Sequence, residues 1–205
     1  MKASSRKAMI FEKIFDFAYV AALGDAVNQK AYSGEKTVLQ KNREARDIVK
    51  KYIDDIIAGR HPDFYSTANA VENSFADFLR KNSLAGSFTF GNTQKLINMT
   101  VKHMYRVAYV KPELRENFKG CHCPMDNIMT ELVKNKIAAC AFAELPCDIQ
   151  LILNRKGWRG ELCKPWSKIS EDKTQYLNFQ RIVAFLAEKE GAIPIEYDYI
   201  YWLAE

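Results

Sequence analysis

Two short stretches of the sequence contain residue types that could act together on an electrophilic carbon. In "GNTQKLIN", residues 91–98, Lys95 follows Gly91 by four positions at the start of a segment with helical periodicity. In "CPMDNIM", residues 123–129, Asp126 follows a proline and opens the next apolar run. A deprotonated lysine amine is a nucleophile that forms Schiff bases, and a carboxylate can manage protons or stabilise positive charge. Lys95 and Asp126 are therefore the candidate catalytic residues.

A simpler interpretation exists for each residue alone. Lys95, Asn98, Lys102 and Arg106 share one polar stripe of a predicted amphipathic helix, and such lysines are usually solvated. Asp126 stands where an aspartate that caps a helix would stand. The glycine before Lys95 favours a tight turn whose backbone N–H groups could hold a phosphate at a helix N-terminus. Taken one at a time, these features favour a solvated surface and a helix cap.

The order of the two stretches is more specific than either alone. A Gly-x-x-x-Lys hairpin followed by a Pro-x-Asp segment resembles the helix-hairpin-helix DNA glycosylase superfamily. The 31 positions from Lys95 to Asp126 are most similar to the archaeal 8-oxoguanine DNA glycosylase branch, in which a long helix lies between the two motifs. The resemblance covers about 40 of the 205 residues. The chain departs from the superfamily in having only Gly91 in the hairpin and in lacking the four-cysteine iron–sulfur loop of some members.

The resemblance implies a bifunctional DNA glycosylase and AP lyase that acts on an oxidised purine in double-stranded DNA, as a monomer and without a cofactor or metal. Lys95 would attack C1′ of a flipped nucleotide, and Asp126 would stabilise charge on the sugar. Phosphates would be bound by Gly91, Asn92, Thr93, Lys102 and Arg106, and the candidates for base stacking are Phe90, Trp158 and Trp166.

A second basic segment lies later in the chain. In "NRKGWRGELCKPWSK", residues 154–168, cations alternate with tryptophans, a composition that suits a nucleic-acid surface and also an exposed loop. The cations are Arg155, Lys156, Arg159, Lys164 and Lys168.

The composition predicts the fold class. Nine glycines and six prolines in 205 residues leave long segments without a break, which favours helices over many short strands. Helices are predicted over 5–23, where Gly24 offers a stop, over 35–58 without interruption, and over 170–191 with Ser170 as the cap. We expect an all-α bundle of seven or eight helices in one domain, 1–205, with lobes at 1–86 and 87–205 as the alternative division and a helix-hairpin-helix element.

Charge and targeting signals set weaker limits. The net charge of +5 permits an anionic partner without requiring one. The start of the chain does not have the pattern of a secretory signal, and its apolar runs are too short to span a membrane. We therefore expect a cytoplasmic protein, associated with the nucleoid if it binds DNA, with its five cysteines reduced.

Other function classes remain open on the sequence alone. A non-catalytic helical binding or regulatory protein could use the same basic stripe to hold an anionic partner, with Asp126 as a cap only. A metal-dependent hydrolase is disfavoured, because the three histidines have no partner four residues away. Cys121, His122 and Cys123 could form a zinc site or a thiol nucleophile, but Cys-x-Cys is tighter than the usual zinc spacing and a third orienting residue is missing.

Overall fold

The fold is described from a computed structural model, which covers residues 3–27, 36–108, 111–162 and 164–202. Within these ranges the chain is helical without strands, so the all-α prediction is confirmed. The α-helices in chain order are α1 Ala3–Val27, α2 Lys36–Leu39, α3 Arg43–Ile57, α4 Phe64–Lys81, α5 Phe90–Ala108, α6 Asn127–Ala138, α7 Cys147–Leu153, α8 Trp158–Leu162, α9 Thr174–Lys189 and α10 Pro194–Trp202. Short 3-10 helices occupy Pro112–Phe118, Phe142–Glu144 and Trp166–Lys168.

Contacts within the chain divide it into two units, Met1–Phe118 and Lys119–Glu205. The first unit contains α1 to α5, and the second contains α6 to α10. The alternative division at 86 and 87 would have placed α5 with the later helices, whereas α5 packs on α1, α3 and α4 of the first unit.

In the first unit α1 and α5 form the most extensive helix pair. Ala18, Ala22 and Ala26 recur every four residues along α1 and are almost completely buried. Small side chains at this spacing let a neighbouring helix approach closely. Because the helix keeps this face through Ala26, Gly24 does not end it as predicted, and α1 continues to Val27.

The predicted single helix over 35–58 is interrupted at Asn42. Its side-chain oxygen accepts a hydrogen bond from the backbone N–H of Ala45 over 3.2 Å, so Asn42 caps α3. The same oxygen accepts from the hydroxyl of Ser74 in α4 over 3.1 Å. This buried cap also joins two helices. The stabilisation that it gives to the break exceeds the preference of the neighbouring residues for one continuous helix.

In the second unit α9 is the element that the other helices share, since α6, α7, α8 and α10 all pack against it. It begins at Thr174, later than the predicted start at Ser170, because the carboxylate of Asp172 accepts the backbone N–H of Thr174 over 2.9 Å. It ends as predicted at Gly191, whose φ of 70° favours glycine. No helix among the described residues is long and apolar enough to cross a membrane.

Candidate functional site

The start of α5 is a reciprocal cap between Thr89 and Asn92. The backbone N–H and the hydroxyl of Thr89 both donate to the side-chain oxygen of Asn92, over 3.0 and 2.9 Å. In return the hydroxyl oxygen of Thr89 accepts the backbone N–H of Asn92 over 3.3 Å. Gly91 is therefore the second residue of the helix rather than part of a turn before it, and Lys95 lies in the second helical turn and not in the first.

This cap changes the predicted phosphate site at residues 91–93. Asn92 and Thr93 are completely buried, and Gly91 is buried as well. The N–H of Asn92 is bound by Thr89, and the N–H of Thr93 donates to the carbonyl of Thr89 over 2.9 Å. The N–H groups of Asn92 and Thr93, which were expected to hold a phosphate, thus have acceptors within the helix start.

The polar stripe of α5 is largely inside the protein. Lys95 is 6 % exposed, Asn98 1 % and Lys102 3 %, whereas Arg106 is exposed. The side-chain amide of Asn98 donates to the side-chain oxygen of Gln94 over 3.2 Å. Lysines are almost never this buried unless a specific environment holds them. A solvated surface is therefore the wrong interpretation for Lys95 and Lys102, and of the predicted cationic phosphate ligands only Arg106 is accessible.

His103 adds a titratable group to the same helix. Its imidazole is half-buried, and its Nε2 atom has no hydrogen-bond partner among the described residues. Burial lowers the pKa of His103 below its usual value, and the positive charges of Arg106 and Lys102 lower it further against the opposing effect of Asp25. The surroundings of His103, one position after Lys102, thus favour its neutral form.

Asp126 is the N-cap of α6. One carboxylate oxygen accepts the backbone N–H of Met129 over 2.8 Å, and the backbone carbonyl of Asp126 accepts the N–H of Thr130 over 2.9 Å. The hydroxyl of Thr130 also donates to that carbonyl. The capping interpretation is thus confirmed, and it fixes the orientation of a half-buried carboxylate.

The segment before Asp126 is anchored on α9. The side-chain amide of Gln180 donates to the carbonyl of Cys123 over 2.7 Å, and its oxygen accepts the N–H of Cys123 over 3.0 Å. The imidazole Nδ1 of His122 lies 2.8 Å from the hydroxyl of Tyr176. Since Gln180 and Tyr176 lie on one face of α9, four residues apart, this helix holds the Pro-x-Asp segment in place.

Burial argues against both alternatives for Cys121 and Cys123, the zinc site and the thiol nucleophile. Cys121 and Cys123 are both buried, and burial raises the pKa of the Cys121 thiol to about 12. A thiol with this pKa is protonated at neutral pH, and the thiolate is the form that attacks or binds metal. Among the described residues no group of three or more potential metal ligands comes together.

The three candidates for base stacking differ in exposure. Phe90 is completely buried and lies parallel to Tyr65 with ring centroids 6.4 Å apart. Trp166 is only 2 % exposed. Trp158 is half-buried, and the guanidinium of Arg159 lies 5.4 Å from its ring centroid. Phe90 and Trp166 are therefore core residues, and Trp158 is the aromatic ring that retains a surface.

Sequence analysis missed two polar residues of the second unit. Gln180 fits the pattern of a regular amphipathic helix. Nothing in that pattern indicates its contact with Cys123, which lies 57 positions earlier in the chain. Asp198 is 1 % exposed in α10. The burial of Asp198 could have been predicted from the sequence, because Asp198 is the one acid within the aromatic run "YDYIYW" and such a position faces a core.

The structure groups the predicted residues as follows. Lys95 and Lys102 lie on one face of α5 in the first unit, and Asp126 begins α6 in the second unit. Trp158 and the exposed cations of residues 155–168 also belong to the second unit.

No family model, no curated protein and no solved structure matches this chain.

Proposed function

We propose that this protein is a DNA base-excision enzyme, a bifunctional glycosylase and AP lyase that removes an oxidised purine through a Schiff base on Lys95. The observation that carries the proposal is the burial of Lys95, which is 6 % exposed. Removing an ammonium group from water is costly, so a lysine that serves only solubility is not placed there.

The chemistry of Lys95 follows from its amine. The deprotonated nitrogen attacks C1′ of the sugar while the bond from C1′ to the base breaks, and the base leaves with a proton. The sugar ring opens to an imine with the lysine nitrogen. Loss of a proton from C2′ then expels the 3′ phosphate, and water hydrolyses the imine to release the enzyme.

Asp126 supplies the negative charge in this proposal. Its assigned role is that of the carboxylate that stabilises positive charge developing on the sugar as the base departs. The bond from the Met129 N–H and the anchoring of Cys123 by Gln180 support this role, since both fix the carboxylate before substrate binds. A carboxylate that is already oriented loses little entropy when it acts.

The alternative proposal, a non-catalytic protein that binds an anionic partner through the α5 stripe, requires accessible cations. Lys95 and Lys102 are buried, and Arg106 alone of the three offers an exposed charge. A nucleotide turned out of its duplex enters a protein pocket, whereas an intact duplex contacts only the surface. Burial of the stripe therefore favours chemistry over surface binding.

Borohydride trapping tests the proposal. The protein is incubated with duplex DNA that carries 8-oxoguanine or an abasic site, and sodium borohydride reduces any imine to a stable covalent adduct. We expect an adduct with the wild-type protein and none with Lys95→Ala. The matched control is Lys102→Ala, which removes an equally buried lysine from the same helix face and is expected to retain the adduct. A folded wild-type protein that yields no adduct on either DNA would refute the lyase mechanism.

A further inference from the structure

A groove on the second unit lies between α7 and α9. One wall comes from one face of α9, with a spacing of 0, 3, 4 and 7 positions, and the other comes from α7 together with Arg155, which follows the end of that helix. The lining residues are Asp148, Leu151, Ile152 and Arg155 on the α7 side, and Thr174, Leu177, Asn178 and Arg181 on the α9 side. The volume of the groove is about 350 Å³.

The two arginines of the groove are exposed. Hydrogen bonds from Thr174 lower the pKa of Asp172, and the charges of Lys164 and Arg155 lower it further, so this exposed acid faces part of the positive charge. Neither the guanidinium of Arg155 nor that of Arg181 forms an ion pair with any described residue. Four further exposed cations of the same unit, Lys156, Arg159, Lys164 and Lys168, are also without an ion pair in the described part of the chain. Residues 154–168 contain five cations and one acid, and one of these cations, Arg155, lines the groove.

Some cations of the first unit are paired with acids. On α3 and α4, four of the six basic side chains lie at ion-pair distance from a carboxylate. Examples are Arg46 with Asp16 at 2.6 Å, Lys50 with Asp54 at 2.7 Å, Lys51 with Asp55 at 2.8 Å and Arg80 with Asp77 at 2.8 Å. The arginines of the groove differ from these four paired side chains in leaving their guanidinium groups for an external anion.

The groove also exposes apolar surface between its arginines. Leu151 is 70 % exposed and Leu177 is 37 % exposed. An inorganic anion would gain nothing from these side chains, whereas the sugar carbons between successive phosphates of a nucleic-acid strand can pack on them. Asp148 is the acid in the lining, at the first turn of α7.

We propose that this groove binds the sugar–phosphate backbone of DNA, with Arg155 and Arg181 on phosphates and Leu151 against the intervening sugar. The choice of DNA over another polyanion rests on the proposed function. The charge complementarity of the groove to a polyanion is independent of that function. Phosphate contacts of this kind position a duplex without reading its sequence.

The salt dependence of binding to undamaged duplex DNA tests the groove. Each phosphate contact steepens the slope of log K against log salt by about 0.9. We expect the double variant Arg155→Ala/Arg181→Ala to bind more weakly than wild type and to lose about 2 from the magnitude of this slope. Arg155→Lys/Arg181→Lys keeps both charges and should keep the slope. Asp148→Asn removes the acid and should tighten binding.

The control for net charge is Lys81→Ala/Lys189→Ala. Both lysines are exposed and lie in the last turn of α4 and α9, away from the groove lining. This variant should keep the wild-type slope. If the arginine variant retains the wild-type slope, or if the control loses as much, the groove is not the phosphate site.

The two proposals fail in different ways. A trapped adduct together with an unchanged slope in the arginine variant would refute the groove and leave the glycosylase standing. A reduced slope without any adduct would leave a DNA-binding groove on a protein that lacks the lyase chemistry. Absence of DNA binding by the folded wild-type protein would refute the groove directly.

Discussion

The side-chain amide of Asn92 in α5 donates a hydrogen bond to the backbone carbonyl of Ala26 in α1 over 2.7 Å. The oxygen of the same amide accepts two hydrogen bonds from Thr89. One completely buried side chain thus caps the helix that carries Lys95 and ties it to α1.

Replacing Asn92 with alanine should therefore destabilise the fold. The variant loses the cap and leaves the buried carbonyl of Ala26 without its donor, which together cost about 2–4 kcal/mol in the free energy of unfolding. Thr89→Ala removes part of the cap alone and should cost about 1 kcal/mol. Urea unfolding measures both. Equal losses in the two variants would show that the bond to Ala26 contributes nothing.

Asp126 allows its two roles to be separated by substitution. Asp126→Asn keeps an oxygen that can accept from Met129, so its stability should remain within about 1 kcal/mol of wild type while excision falls by at least about 100-fold. Asp126→Ala should lose both the cap and the activity. Single-turnover excision and urea unfolding are the two readouts. An Asp126→Asn variant with wild-type excision would reduce Asp126 to a helix cap.

His103 gives the protein a defined dependence on pH. Its pKa in the folded state is lowered, chiefly by burial, so the unfolded chain binds this proton first as the pH falls. The stability that neutral His103 contributes is complete above about pH 6.5 and is lost as the pH falls through the folded pKa. We expect the free energy of unfolding to decrease more between about pH 7.5 and about pH 5 in wild type than in His103→Gln. Equal decreases in the free energy of unfolding of the two proteins would show that the imidazole of His103 is exposed to solvent.

The sequence was sufficient for the fold class and for most helices, because scarce glycine and proline and a period of 3.6 residues are local signals. It was insufficient where a distant contact decides the outcome. The helix expected over 35–58 breaks at Asn42 because Ser74, 32 residues later, helps to hold the cap. Gly24 does not stop α1, since packing on α5 extends the helix past it.

The candidate site shows the same limit. Asp126 could be placed at a helix start from "PMDN" alone, because a cap is a local feature. The burial of Lys95 could not be predicted from the sequence. An amphipathic pattern predicts that a polar stripe faces water, and only tertiary packing reverses this. The anchoring of Cys123 by Gln180 spans 57 positions and leaves no periodic trace in the sequence.

Mapping the borohydride-reduced adduct by mass spectrometry is the most direct test of the central claim. Trypsin does not cleave after a modified lysine, so an adduct on Lys95 should yield a peptide of residues 82–102 that remains uncut at Lys95 and carries the mass of the sugar fragment. Modification of Lys102 or of a lysine outside α5, with Lys95 cleaved as usual, would contradict the assignment of Lys95 as the nucleophile.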